Sequence, residues 1–393
     1  MIDINEVLKK AVGMNASDIH MKVGLPPVIR RYGSLLALKD FPRLKSEEIA
    51  EIAFGLMSQY QKAKFETTSE IDFAYYLPEV ARFRVNCFKQ RGNFGVVFRA
   101  VPTEPPELDA LNLPDVIKTI SMETKGLILV TGTTGSGKST TLAGMVHHIN
   151  THRNCHIITI EDPIEFIHRD RKSIINQREV GSDTNSFAMA LRAALRQDPD
   201  VIMVGEMRDK ETIDIALTAA ETGHLVISTL HTLDAVETIM RIIAVYPPYQ
   251  HQQVRIQLSG VLKAVISQRL MPRMDANGMI PAAEVMVSTE RIKECIMDET
   301  RTSEINDAIA QGTISYGMQT FDQSLMSLVQ KGLVSYHEAL RQSTNPNDFE
   351  LRMKGIVGTS DSRWDQFVPV GEEHEEKTGE KPEIFRETEF KKQ

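Results

Sequence analysis

Little in this 393-residue sequence could cross-link it or carry it through a membrane. Its three cysteines, Cys87, Cys155 and Cys295, lie far apart with no C-x-x-C pair, which excludes both a disulfide framework and a zinc knuckle. No run of 18 or more apolar residues occurs, and the first ten residues lack a basic region followed by an apolar stretch. Neither a membrane-spanning helix nor a secretory leader is therefore expected, and the chain reads as cytoplasmic without direct membrane insertion. Positive charge is also short: 45 Lys and Arg stand against 53 Asp and Glu, a net charge of −8. Broad nucleic-acid binding needs the opposite balance, so only a local basic groove could serve such a partner.

What is present is the composition of an ordinary globular protein, 41% apolar and 25% charged. The length exceeds what one hydrophobic core supports, so two folded domains plus some unfolded chain are expected. Residues 1–101 read as a small α+β domain, with an opening helix and alternating runs at 81–88 and 95–99. Pro102, Pro105, Pro106 and Pro114 follow; proline fixes φ and withholds an amide donor, so 102–114 is the expected linker. Over 115–357 short apolar runs alternate with helical patterns, as in a parallel sheet flanked by helices. Runs at 127–131, 156–160, 201–204 and 225–229 are each followed at once by glycine or polar residues. In open α/β sheets ligands sit beyond the carboxyl ends of strands, so these four ends are expected to converge on one site. Residues 358–393, with Glu372-Glu373-His374-Glu375-Glu376 and the lone Trp364, carry too little apolar surface to offset chain entropy, and a disordered acidic tail is expected. No internal repeat is visible.

The segment Gly132-Thr133-Thr134-Gly135-Ser136-Gly137-Lys138-Ser139, with Thr140 next to it, matches G-x-x-x-x-G-K-[ST] between a predicted strand and a predicted helix. Its glycines allow the backbone to curl so that amides face phosphate oxygens. Lys138 is placed to reach the β and γ phosphates of ATP and Ser139 to put its hydroxyl on Mg²⁺. Hydrolysis needs an acid as well. Asp200-Val201-Ile202-Met203-Val204-Gly205-Glu206 leads an apolar strand to Glu206, suited to a magnesium-water contact or to water activation. Glu161-Asp162-Pro163-Ile164-Glu165 offers a second acidic cluster in which Pro163 is expected to aim Glu165. Taken alone, such acids also read as solvated loop charge. His224 and His231 bracket the run 225–229; either could sense a γ-phosphate or serve as a structural donor. Arg82, Arg84, Arg91 and Arg99 cluster in the first domain, as surface charge or as guanidinium groups for transferring phosphoryl charge at a neighbouring site.

Over about residues 1–355 these motifs resemble the secretion-superfamily hexameric ATPases, and within them the type IV pilus retraction ATPases of the PilT and PilU type. Leu191-Arg192-Ala193-Ala194-Leu195-Arg196-Gln197-Asp198-Pro199-Asp200 running into Glu206-Met207-Arg208-Asp209 resembles their long Walker B signature. Thr159 to Phe166 resembles their Asp box, and Thr222-Gly223-His224 through His231-Thr232 their His box. Ala16-Ser17-Asp18-Ile19-His20 and Gly24-Leu25-Pro26-Pro27 look like the opening of their N-terminal PAS-like module. The resemblance implies an α/β fold: a RecA-like P-loop NTPase domain preceded by a smaller α+β PAS-like domain. It further implies a homo-hexamer binding ATP and Mg²⁺ between the two domains. Glu165 would polarise water, Glu206 would be the Walker B acid, His231 would belong to the His box, and Arg84 and Arg99 would arrive from an adjacent domain or subunit. The implied setting is the inner-membrane base of the pilus machine, with a platform protein and a second retraction ATPase as partners and no nucleic acid.

Two absences favour the retraction branch: the paired C-x-x-C motifs and longer N-terminal region of assembly and type II secretion ATPases are both missing. One departure concerns the retraction-linked octet of PilT proteins, Ala-Ile-Arg-Asn-Leu-Ile-Arg-Glu, which here reads Arg291-Ile292-Lys293-Glu294-Cys295-Ile296-Met297-Asp298. His251-Gln252-Gln253-Val254 and Glu338-Ala339-Leu340-Arg341 look closer to PilU, so an accessory role stays open. Competing readings are a RecA-like nucleic-acid translocase and an ATP-binding regulatory scaffold.

Overall fold

Strand composition separates two sheets in the computed structural model, which describes residues 2–31, 34–101, 104–275 and 278–355. The first sheet is wholly antiparallel. Its strands are β1 (Asp18–Lys22), β2 (Val28–Arg31), β3 (Ser34–Ala37), β4 (Glu70–Leu77), β5 (Ala81–Gln90) and β6 (Asn93–Val101), in the order β3-β2-β1-β6-β5-β4. Period-two alternation in β5 buries Ala81, Phe83, Val85 and Cys87 and turns Arg82 and Arg84 to the other face. The buried face packs on helices Ile4–Gly13 and Ser46–Leu56 to form a core of its own.

The second sheet comprises β7 (Gly126–Thr131), β8 (His156–Glu161), β9 (Ile174–Glu179), β10 (Val201–Val204), β11 (Leu225–Leu230), β12 (Leu262–Pro272) and β13 (Met279–Val287), ordered β13-β12-β7-β11-β10-β8-β9. All pairs are parallel except β12 with β13. Here alternation is absent: β7, β10 and β11 are buried along their whole length because helices cover both faces. Leu127 and Leu129 point into one core with the helices 187–194, 210–221 and 235–244, while Ile128 and Val130 point into another under helix Lys138–His152. The four strands expected from the sequence are present, each within one residue of its expected bounds.

Two features add to the sequence reading. The proline-bearing connector is more than a spacer, since it contains the helical turn Leu108–Leu111 and buries Leu108 in the core beneath helix Lys138–His152. Beyond β13, helices Phe321–Gln330, Tyr336–Gln342 and Pro346–Met353 add a further small core against Met271, Ile280 and Ala282. The expected acidic tail, 358–393, lies outside the described residues. No described helix is long and apolar enough to cross a membrane. The cysteines are unpaired, with Cys87 and Cys295 buried.

Candidate functional site

Immediately after β7 the chain enters a turn that only glycine tolerates. Gly132 has φ 141°, and a Cβ there would lie 2.4 Å from the Gln268 carbonyl oxygen and 2.5 Å from Ser136 Oγ. Gly137, at φ 92°, caps the start of helix Lys138–His152, whose N-terminal amides and dipole favour an anion. Lys138 folds back so that Nζ donates to the carbonyl oxygens of Gly132 (2.8 Å) and Thr133 (2.9 Å). Burial holds its pKa below the usual lysine value, opposed by the nearby carboxylates of Glu206 and Glu165. Ser136 Oγ is buried without a hydrogen-bond partner.

A cavity of about 450 Å³ opens where β7, β8, β10 and β11 end. Thr134, Gly135, Gly137, Lys138, Ser139 and Thr140 line one side and Glu165, Glu206 and His231 the other. Gly132, Thr133 and Ser136 shape the loop behind them. The strand ends are knitted together: the Gly205 N–H donates to the Ile160 carbonyl at 2.7 Å and the Thr229 hydroxyl to the Gly205 carbonyl at 2.6 Å. This fixes the peptide from which Glu206 projects.

Glu206 is clasped on both oxygens, by Arg208 NH2 at 2.7 Å and His231 Nε2 at 3.4 Å. Burial pushes its carboxyl up, but the hydrogen bond and charge of Arg208, together with His231, outweigh this and hold it below the usual range. Glu165 sits in the turn after β8, its N–H 3.5 Å from the Glu161 carboxylate. Glu161 is buried and accepts hydrogen bonds from the Thr159 hydroxyl (2.6 Å) and the Gln177 amide (3.1 Å). Burial raises its pKa, with those donors opposing. His224 is separated from the site, at the opposite end of β11, with Nδ1 3.0 Å from the Ala219 carbonyl. Of the two candidate histidines the structure brings only His231 to the cavity.

Arg84 and Arg99 do not line the cavity of their own chain. They stand opposite one another as cross-strand partners on β5 and β6, Arg84 beside Asp72 (3.5 Å) and Arg99 on Asp18 (2.9 Å). The arginine that crosses to the second sheet is Arg82, on Glu179 at 2.9 Å. Sequence reasoning passed over Arg208, although it stands in the quoted Walker B stretch, and Gln268. The side-chain amide of Gln268 donates to Thr141 Oγ1 at 2.9 Å, and its backbone carbonyl abuts Gly132. With no recognisable motif around it, Gln268 gives no sequence signal.

Among the described residues no group of three His, Cys, Asp or Glu is placed to cage a metal. Ser139 and Glu206 both line the cavity.

A glycine-shaped phosphate loop on a helix N-terminus, faced by acids at neighbouring strand ends, defines a nucleotide-binding P-loop ATPase of α/β fold. Residues 1–341 match the type II/IV secretion system protein family, and the chain belongs to that family. It is 45% identical over 348 residues to the type IV pilus retraction ATPase PilT of Pseudomonas aeruginosa, covering 88% of this chain and 100% of that protein. To the type IV pilus ATPase PilU of the same organism it is 39% identical over 355 residues, covering 90% and 92%. The crystal structure of the pilus retraction motor PilT with bound ADP superposes with a TM-score of 0.82 at 46% identity, covering 89% of this chain and 99% of that one.

Proposed function

We propose that this chain is an ATP-hydrolysing motor of type IV pilus retraction, working as a homo-hexamer. The observation that carries the reading is one cavity uniting the phosphate loop with Glu165, Glu206 and His231, in a chain similar over 348 residues to a pilus retraction ATPase. In this reading residues 1–101 and 115–357 are separate folding units joined by 102–114, and 358–393 is an appended tail. ATP is held by the amides of residues 132–140 and by the Lys138 ammonium. Bound Mg²⁺, held by Ser139, by phosphate oxygens and through water by Glu206, would supply further neutralisation of phosphate charge. Glu165 polarises and orients the attacking water, and His231 and Arg208 keep the Glu206 carboxylate oriented and ionised.

Arg84 and Arg99 complete the site of a neighbouring subunit. In the chain by itself the cross-strand pair Arg84 and Arg99 is held by Asp72 and Asp18, and in this reading the two guanidinium groups turn to a phosphoryl anion at a subunit boundary. The partners in this reading are the inner-membrane platform protein of the pilus machine and a second retraction ATPase. The related proteins' names give no support to a nucleic-acid translocase. The test is pilus retraction in cells lacking this chain, with and without the second retraction ATPase. Loss of retraction in the single deletion marks the principal motor; loss only under load marks an accessory one. Unaltered retraction in both backgrounds would refute the reading.

A further inference from the structure

Strand β5 sends two arginines to the same face, two residues apart, and they meet different partners. Arg84 stays on its own sheet beside Asp72. Arg82 leaves it: NH2 donates at 2.9 Å to Oε2 of Glu179, the last residue of β9. That carboxylate is almost wholly buried, its side chain 6% exposed, and Arg82 is 21% exposed. A carboxylate this far from water needs a counter-charge and a full set of donors. It has both. The same Oε2 accepts the Ile164 backbone N–H at 3.1 Å, Oε1 accepts the Ser182 hydroxyl at 3.3 Å, and the Glu179 backbone N–H is bound to Asp183 at 2.8 Å.

Ile164 immediately precedes Glu165, and its side chain is buried. One oxygen atom is therefore shared between the N-terminal sheet and the turn that carries an acid of the nucleotide cavity. Residues of both bodies, including Arg82, Asp162, Pro163 and Glu179, line a narrow cleft of about 100 Å³ at this junction. Within the described chain this is a charge-assisted link from the first sheet to that turn.

We propose that Arg82 is a positioning residue of the ATPase reaction: through the Glu179 carboxylate it fixes the turn 163–166, so that the seating of the N-terminal sheet is felt at Glu165. This rests on the reading of Glu165 as the group that orients water. Arg82 touches no nucleotide in this scheme, which separates its role from that of Arg84 and Arg99. When the N-terminal sheet moves away, Glu179 loses its counter-ion, the Ile164 amide loses a firmly held acceptor, and Glu165 drifts. Small misplacement of a reacting group costs on the order of 10²-fold in rate.

The test uses the full-length chain. Amide hydrogen exchange in Arg82→Ala is expected to rise across 164–166 while the phosphate loop, 132–139, stays unchanged. Steady-state kinetics should show kcat reduced about tenfold or more with KM for ATP within about twofold. In a Glu179→Gln background, where no buried charge awaits a partner, adding Arg82→Ala should cost less than about twofold further. Should Arg82→Ala fail to fold, Glu179→Gln alone carries the test, since it keeps the shape and an acceptor oxygen but breaks the ion pair. Unchanged exchange at 164–166, losses that add in the double variant, or a raised KM with unchanged kcat would each overturn the proposal. Full turnover by Glu165→Gln would defeat the role given to Glu165, and the exchange measurement would still decide whether Arg82 holds the turn.

Discussion

The two sheets carry their chemistry in different places. In the seven-stranded sheet the reactive side chains sit at strand ends: the phosphate loop after β7, Glu165 after β8, Glu206 after β10 and His231 after β11. In the six-stranded sheet the charged residues of interest, Arg82, Arg84 and Arg99, lie within strands rather than in the loops that follow them. A strand-end residue belongs to a contiguous motif, because the buried strand and the loop that follows it are read together. A face residue acquires meaning only from the strand beside it and from whatever covers the face. The seven-stranded sheet completes a cavity within one chain; the six-stranded sheet presents the exposed guanidinium groups of Arg84 and Arg99.

The sharpest break of this contrast would be a strand-end residue that proved dispensable. Lys138→Ala is expected to leave the fold intact and to remove measurable ATP hydrolysis, because no other ammonium lies in the loop to neutralise the γ-phosphate. Phosphate release near the unmutated rate would refute the assignment of the loop.

Next in size is the face-borne pair. Arg84→Ala/Arg99→Ala is expected to lose about 10³-fold in turnover, the lower range for an arginine supplied to a nucleotide site. Mixing these subunits with Lys138→Ala subunits tests where the arginines act, since some interfaces of a mixed ring would combine an intact loop with intact arginines. Recovered activity is the expected result; mixed rings without recovery would place the arginines' action inside one chain. Smaller again, Glu165→Gln and Glu206→Gln are each expected to keep ATP binding and to hydrolyse about 10²-fold more slowly, since shape is preserved while the carboxylate charge is lost. Loss of binding itself would reassign them to folding.

How far the sequence could be read follows the same division. The strands at 127–131, 156–160, 201–204 and 225–229, the loop 132–140 and the acids after them were legible because buried parallel strands are continuous apolar runs and the loop chemistry follows immediately. Composition alone does not separate His224 from His231; the resemblance singles out His231, and the direction of β11 places that one at the cavity and His224 at the other end. Arg82 was unreadable as a linker of the two sheets because Glu179 lies 97 residues away. The burial of Leu108 was hidden by the prolines around it, which mark a break in regular structure but say nothing about packing.

Glu284 blurs the comparison, because it is a carboxylate on a face of the seven-stranded sheet and so falls under neither pattern. It lies on β13 opposite Ser267, is fully buried, and accepts the Ala235 N–H at 2.8 Å at the start of helix Ala235–Ala244. Burial, with Asp234 and Asp322 nearby, pushes its pKa up to about 7, against the Ala235 amide and Arg269. The usual value is near 4.5, so between about pH 4.5 and 7 the folded chain binds a proton that the unfolded chain has released. The stabilisation from this group is therefore complete below about pH 4.5, falls as pH rises, and is gone above about pH 7. Glu284→Gln cannot titrate and should lack that slope. Melting temperatures of the variant and the unmutated chain, compared from pH 5 to 8, are expected to shift in the variant's favour by up to about 3 kcal/mol, a few degrees in Tm. Other titrating groups contribute equally to both proteins and cancel in the difference. Parallel curves across this range would show that Glu284 stays ionised where it is buried, with the Ala235 amide and Arg269 sufficient to hold the charge.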